Sequence, residues 1–163
     1  MTQEKVERPT YFSLEVSTEV AAEVWRSLKD CVDVSEKEQF LDSLAHILSS
    51  KLEDAFEIGV LLARHNFYVD ENLIVGLVNA DIYHTRKRVL SCMLSWWVHY
   101  HAPKPTLSVG TCVIYKGDVR VVDRYDLIRN QNQIVSIDYD RAVYVCSDGR
   151  QLLWEDTSYL VVG

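Results

Sequence analysis

The hydrophobic pattern of this chain changes its period once, near Pro105. Upstream, apolar residues recur at three- and four-residue spacing, the stripe of an amphipathic helix; downstream they alternate, the pattern of a half-buried strand. Val20, Val24, Leu28 and Cys31, with Ala21 and Trp25 beside them, predict a first helix over 18–32 capped by Ser17. Ahead of it, "YFSLEVS" alternates Phe12, Leu14 and Val16 and reads as a short strand or extended arm. Ser35 stands three residues before Glu38, the capping-box spacing, and Phe40, Leu41, Leu44, Ile47 and Leu48 follow as a second helix.

"EDAFEIGVLLARHN" predicts a third helix, with two acids where the helix dipole favours them and Asn66 where a left-handed cap can sit. Asp70 caps a fourth, striped by Leu73, Ile74, Leu77 and Val78. His84 or Thr85 opens a fifth, carrying Val89, Leu90, Met93, Leu94, Trp97 and Val98. "APKP" ends it, because proline cannot continue a helix and restricts the residue before it.

Beyond Pro105, "GTCVIYKGDVRVVDRYD" predicts two strands turning at Gly117 and Asp118. "QIVSIDYDRAVYVCSDGRQLLWE" predicts three more, around Asp140-Arg141 and Asp148-Gly149, and "DTSYLVV" a turn and a last strand. The fold class is therefore α+β: an N-terminal helical bundle of about five helices over 1–103, then a small antiparallel β-barrel over 104–163.

The strand region resembles an SH3-like barrel of the Tudor or KOW kind. The residues that carry the likeness are "VGTCVIYKGDVRVVDRYD", with its G-x-x-V-x-Y opening strand, the late "DG" hairpin of "QIVSIDYDRAVYVCSDGRQLLW", and the closing "EDTSYLVV". The resemblance implies a fold, and barrels of this kind mostly bind peptides, modified side chains, RNA or other protein domains. A fainter likeness joins "YHTRKRVLSCM" to the FinO/ProQ RNA-binding domain, which would place Tyr83, Thr85, Arg86 and Arg88 at an RNA-facing end. Those domains are strongly basic, whereas this helical half is acidic, and their glycine-containing hairpin is missing after "SWWVHYHAPKP".

Charge sharpens the picture. A hydrophobic fraction of 48% suits a globular chain, and the net charge is −7 with a pI of about 5.2. Residues 1–57 hold thirteen acids against six bases, and the remainder holds eleven of each, so the whole surplus lies on the N-terminal helices. Such a field disfavours polyphosphate partners unless basic residues are segregated. The candidate segregation is Arg86, Lys87 and Arg88 at the start of the fifth helix, where backbone amides would also favour phosphate. The residues that follow, "VLSCMLSWWV", lack the polar side chains a recognition helix shows to base edges. Basic charge at a helix N-terminus is unfavourable by about 0.3–1 kcal/mol per residue, so an acidic partner within the chain or an external anion should compensate it.

Cys31, Cys92, Cys112 and Cys146 form no C-x-x-C pair, which leaves reduced, mostly buried thiols as the expectation. His99 and His101 point to different sides of a continuing helix, so no metal site is expected, and no cofactor. Asp138 and Asp140 read as strand alternation entering a turn; no nucleophile elbow or phosphate-cradling loop occurs. "MTQEKVERPT" lacks the apolar centre of a secretory signal and no apolar run reaches membrane-spanning length, so a cytoplasmic, non-membrane protein is expected.

These features favour a non-enzymatic, protein-binding regulator, adaptor or inhibitor, of the sort a phage or mobile element makes against a host protein or nucleoprotein machine. RNA or DNA binding through the basic triplet and the barrel is the alternative, and an unrecognised hydrolase the third reading. Candidate binding residues are Arg86, Lys87, Arg88 and Trp96 in the helical part, with Tyr115, Arg120, Arg124, Tyr125, Tyr144 and Trp154 in the barrel. Trp96 and Trp97 stand about 100° apart on a helix, so one stripe cannot bury both. Trp97 is expected in the helical core, and Trp96 at an interface with the barrel, a second copy of the chain, or a partner.

Overall fold

The structure is a computed structural model that describes residues 6–102, 104–118, 131–156 and 158–162. The chain divides into two compact units, Met1–Leu94 and Ser95–Gly163. The helices are α1 (Leu14–Leu28), α2 (Lys37–Ser49), α3 (Ala55–Arg64), α4 (Glu71–Asn79) and α5 (Ile82–His101).

Three helix starts differ from the sequence expectation: α5 opens at Ile82, two residues before His84, and the starts of α1 and α2 differ as well. α1 opens at Leu14, not after Ser17: Ser13 Oγ accepts from Val16 N at 3.4 Å, and the segment read as a strand or arm becomes a turn and the first helical turn. Val16 extends the stripe of Val20, Val24 and Leu28 backwards by one turn, and burying it outweighs the alternation of "YFSLEVS". The Ser35–Glu38 capping box does not form either. Asp33 Oδ1 instead accepts from Ser35 N at 2.8 Å and caps a short 3-10 turn, Val34–Glu36, which leads into α2. An Asp with two local donors outcompetes the Ser that follows it.

Elsewhere local chemistry acts as read. Asp54 Oδ1 accepts from Phe56 N and Glu57 N, Asp70 Oδ1 accepts from Leu73 N at 2.9 Å, and Asn66 sits at φ 68°, in the left-handed region. In the helical core, α1 packs on α2 and α4, and α3 packs on the same two helices. Its apolar centre joins Val20, Val24 and Leu28 to Phe40 and Leu44, Ile58 and Leu62, and Leu73 and Leu77. Gly76 lets α4 approach α1 closely: a Cβ there would lie 3.0 Å from the Ser27 carbonyl oxygen and 2.6 Å from a Leu28 methyl.

The strands are β1 (Cys112–Tyr115), β2 (Gln131–Asp138), β3 (Val143–Cys146), β4 (Gln151–Leu153) and β5 (Tyr159–Val162). They form one antiparallel sheet in the order β4-β3-β2-β1-β5, so the chain is α+β. Ile137 faces Tyr144, Val143 faces Leu153 and Val113 faces Val161, while β2 shifts register between Ile134 and Ser136. Asp138 Oδ1 accepts from Asp140 N and Arg141 N in the β2–β3 turn, and Asp148 Oδ1 accepts from Arg150 N beside Gly149 at φ 86° in the β3–β4 turn. The strand expected over "DVRVVDRYD" lies outside the described residues. Val113, Ile134, Tyr144, Cys146 and Leu152 are the buried centre of this unit.

Candidate functional site

The basic triplet separates in three directions. Arg86 has no exposed surface at all. One terminal nitrogen donates to Tyr11 O at 2.9 Å and Ser17 Oγ at 3.1 Å, and the other donates to Leu48 O at 2.9 Å. Nε lies 3.2 Å from Glu53 Oε1 as an ion pair, off the line a hydrogen bond needs. The guanidinium carbon also sits 5.0 Å from the Phe12 ring centroid and 5.3 Å from that of Tyr11. Burial pulls the Arg86 pKa down from its usual value, against the opposing pull of Glu53 and Tyr11. Arg86 is therefore a structural cation and not a surface for an external anion; a planar fork can reach acceptors on α1, the end of α2 and the following loop at once.

Arg88 donates to Glu23 Oε2 at 2.9 Å, and Arg26 approaches the same oxygen at 3.5 Å. The Arg88 hydrogen bond is the main reason the Glu23 carboxyl is held below its ordinary pKa. Lys87 Nζ rests 4.3 Å from the centre of the Tyr83 ring. The compensation expected for three cations at a helix start is thus internal. Asp81, at φ 43°, completes it by accepting from His84 N and binding His84 Nδ1 at 2.8 Å.

The far end of α5 is different. Trp97 is 4% exposed, whereas Trp96 is 56% exposed. The helical core continues along α5 through Val89, Leu90 and Met93, and Trp97 falls in the second compact unit, so its placement in the helical core is not what the packing gives. Trp96 shares an exposed aromatic cluster with Tyr100 at 5.1 Å and His101 at 5.2 Å, and His99 meets Tyr100 edge-on at 4.6 Å. Tyr100 stands one turn beyond Trp96, an i,i+4 spacing that puts both rings on the same side of α5.

In the sheet unit, Tyr144 is wholly buried, and its hydroxyl oxygen accepts from Thr106 N at 2.9 Å and Leu107 N at 3.1 Å. It is a core residue and not a contact surface. Trp154 packs 6.3 Å from Tyr144 and edge-on at 5.7 Å to exposed Tyr139; its indole N–H finds no acceptor among the described residues. Tyr115 is half-buried under the Arg150 guanidinium, 5.5 Å from its ring centre, beside a shallow open depression that Gly117 and Leu152 help to line. Arg120, Arg124 and Tyr125 lie outside the described residues.

All four cysteines are free thiols, but only Cys146 is buried: Cys31 and Cys112 are intermediate and Cys92 is exposed, so the thiols are not mostly buried. Burial, then Asp148, pushes the Cys146 thiol pKa up. Among the described residues, no group of three or more His, Cys, Asp or Glu side chains could hold a metal ion, and no helix is long and apolar enough to cross a membrane. Comparison with family models, curated proteins and solved structures found no match.

Proposed function

We propose that this chain is a non-catalytic protein-binding regulator or inhibitor, and that it engages a basic protein partner with the aromatic end of α5 as the anchor. One observation carries this reading: Trp96, Tyr100 and His101 form a ring cluster that the chain leaves exposed, one residue away from a tryptophan that it buries. Tryptophan and tyrosine are the residues that dominate binding energy at interfaces, because they present large rigid area at small entropic cost. The acid surplus over 1–57 complements a positively charged partner and steers its approach. Internal use of Arg86 and Arg88 weakens the nucleic-acid alternative, since the cations that would meet phosphate are already neutralised.

The sheet unit fits an SH3-like barrel in this reading. The pairing of the last strand along the first, with Tyr115 opposite Tyr159, supports that reading. Such a barrel would present a second protein-contact surface.

Affinity capture from the native cell, with and without nuclease, tests the proposal. A partner retained after nuclease and lost with Trp96→Ala is the expected result. Capture abolished by nuclease, or untouched by Trp96→Ala, overturns it.

A further inference from the structure

The α3–α4 hairpin leaves an apolar face that the rest of the helical unit does not cover. Ile58, Gly59 and Leu62 turn α3 inward, and the space beside Gly59 is taken by the Ile74 side chain, which fixes where α4 abuts α3. With about 3.6 residues per turn, the outward side of that seam is Phe56, Val60 and Ala63 on α3 and Val75 and Val78 on α4. All five are exposed, Phe56 at 68% and Val78 at 61%. A run of side chains this apolar across two packed helices is larger than the scattered single residues a monomer surface normally shows.

The charges that flank this face select the occupant. Glu57 and Arg64 are seven residues apart, two helical turns, on one edge of the Phe56–Val60–Ala63 stripe, and their midpoint falls beside Val60. Both side chains are exposed. We propose that the face is the interface between two copies of the chain, related by a two-fold axis beside Val60 that runs the two α3 helices antiparallel. That operation places Glu57 of each copy opposite Arg64 of the other, twice, and brings the two copies of Val60 together beside the axis. An isologous contact requires this kind of self-complementarity. The net charge of −7 opposes pairing of two copies, so the match must be local, and the Glu57/Arg64 edge supplies it. One helical hairpin is small beside standard interfaces of about 1,600 Å² in total, so the dimer is a weak one, forming in the micromolar range or above.

Charge exchange tests this directly on the full chain. Sedimentation equilibrium of the wild type should show a concentration-dependent dimer. Glu57→Arg and Arg64→Glu should each sediment as monomers, since each sets like charges opposite one another. An equimolar mixture of the two variants should dimerise again, because every cross-pair is then Arg with Glu. Circular dichroism of each variant confirms that the helices remain. Three results overturn the proposal: a wild type that stays monomeric up to roughly 0.5 mM, a dimer indifferent to both substitutions, or a mixture that fails to recover. Radical footprinting gives a second readout: protection of Phe56 should grow with protein concentration. Protection independent of concentration would mean that the face is covered within one chain or by another molecule, and also overturns the proposal.

Discussion

Arg86 Nε lies 3.2 Å from Glu53 Oε1, and the arginine that makes this contact has no exposed surface. A buried cation without partners is untenable, and Arg86 has four oxygens from three separate parts of the helical unit. It joins the turn before α1, the end of α2 and the loop to α3 through one side chain of α5.

Arg86→Met should therefore destabilise the helical unit by about 2–4 kcal/mol, because Leu48 O and Tyr11 O lose their donor and Glu53 its cation. Arg86→Lys should not restore it, since one ammonium cannot span the same acceptors. Arg88→Ala, which removes only a half-exposed surface pair with Glu23, should leave the melting temperature nearly unchanged. Chemical denaturation followed by far-ultraviolet circular dichroism separates the three.

The different fates of Arg86 and Arg88 show where the sequence stops being readable. Periodicity located all five helices, and Asp54, Asp70 and Asn66 acted as their local chemistry predicts, because those choices depend on neighbours a few residues away. Three adjacent basic residues, however, look alike in sequence. Their partners Glu53, Glu23 and Tyr83 are fixed by tertiary packing or by the helix face each residue happens to occupy. Ser17, expected to cap α1, lies inside it instead, and its role as an acceptor for Arg86 is set at a separation of 69 residues. In the sheet, alternation gave β1 to β5, yet it could not distinguish a tyrosine whose hydroxyl is occupied, Tyr144, from one whose ring is exposed, Tyr139.

Tyr11 couples the same cluster to pH. Its hydroxyl donates to Glu53 Oε1 at 2.7 Å, and burial followed by that bond raises its pKa well above the ordinary 10.0. The folded state therefore holds the proton more tightly than the unfolded chain. This contribution is complete below pH 10.0 and is lost as pH rises from there toward the folded value. Tyr11→Phe should lower stability at neutral pH by about 1 kcal/mol and should flatten the alkaline decline relative to wild type. Melting temperatures from pH 7 to 11 for both proteins give the comparison, in which the other alkaline groups are common and cancel.

Tyr144 offers a matching test in the sheet unit. Its hydroxyl oxygen is the acceptor for two consecutive backbone amides, Thr106 and Leu107, which run alongside the sheet. Tyr144→Phe keeps the ring in the core and removes only that acceptor, so the loss should be about 1–3 kcal/mol. Amide exchange should speed up at Thr106 and Leu107 before it does in β2 or β3. Exchange that stays unchanged at those two positions would mean that water serves them equally well.

Trp96 and Trp97 divide the roles of α5. Trp97 has 4% of its surface exposed and Trp96 has 56%, although the two are sequence neighbours on one helix. Removing a buried indole leaves a cavity and forfeits its transfer energy, so Trp97→Ala should cost about 3–5 kcal/mol. Trp96→Ala removes a ring that is already hydrated in the free chain, and stability should move by no more than about 0.5 kcal/mol. The loss from Trp96 should show in binding instead, where truncating an aromatic anchor raises Kd by tenfold or more for about 1.4 kcal/mol. Measuring denaturation midpoints and partner capture on the same two variants gives a crossed result if α5 is core on one side and contact surface on the other. Equal destabilisation by both, with capture unchanged, would make the whole helix structural and leave the exposed rings of Trp96 and Tyr100 without a binding role.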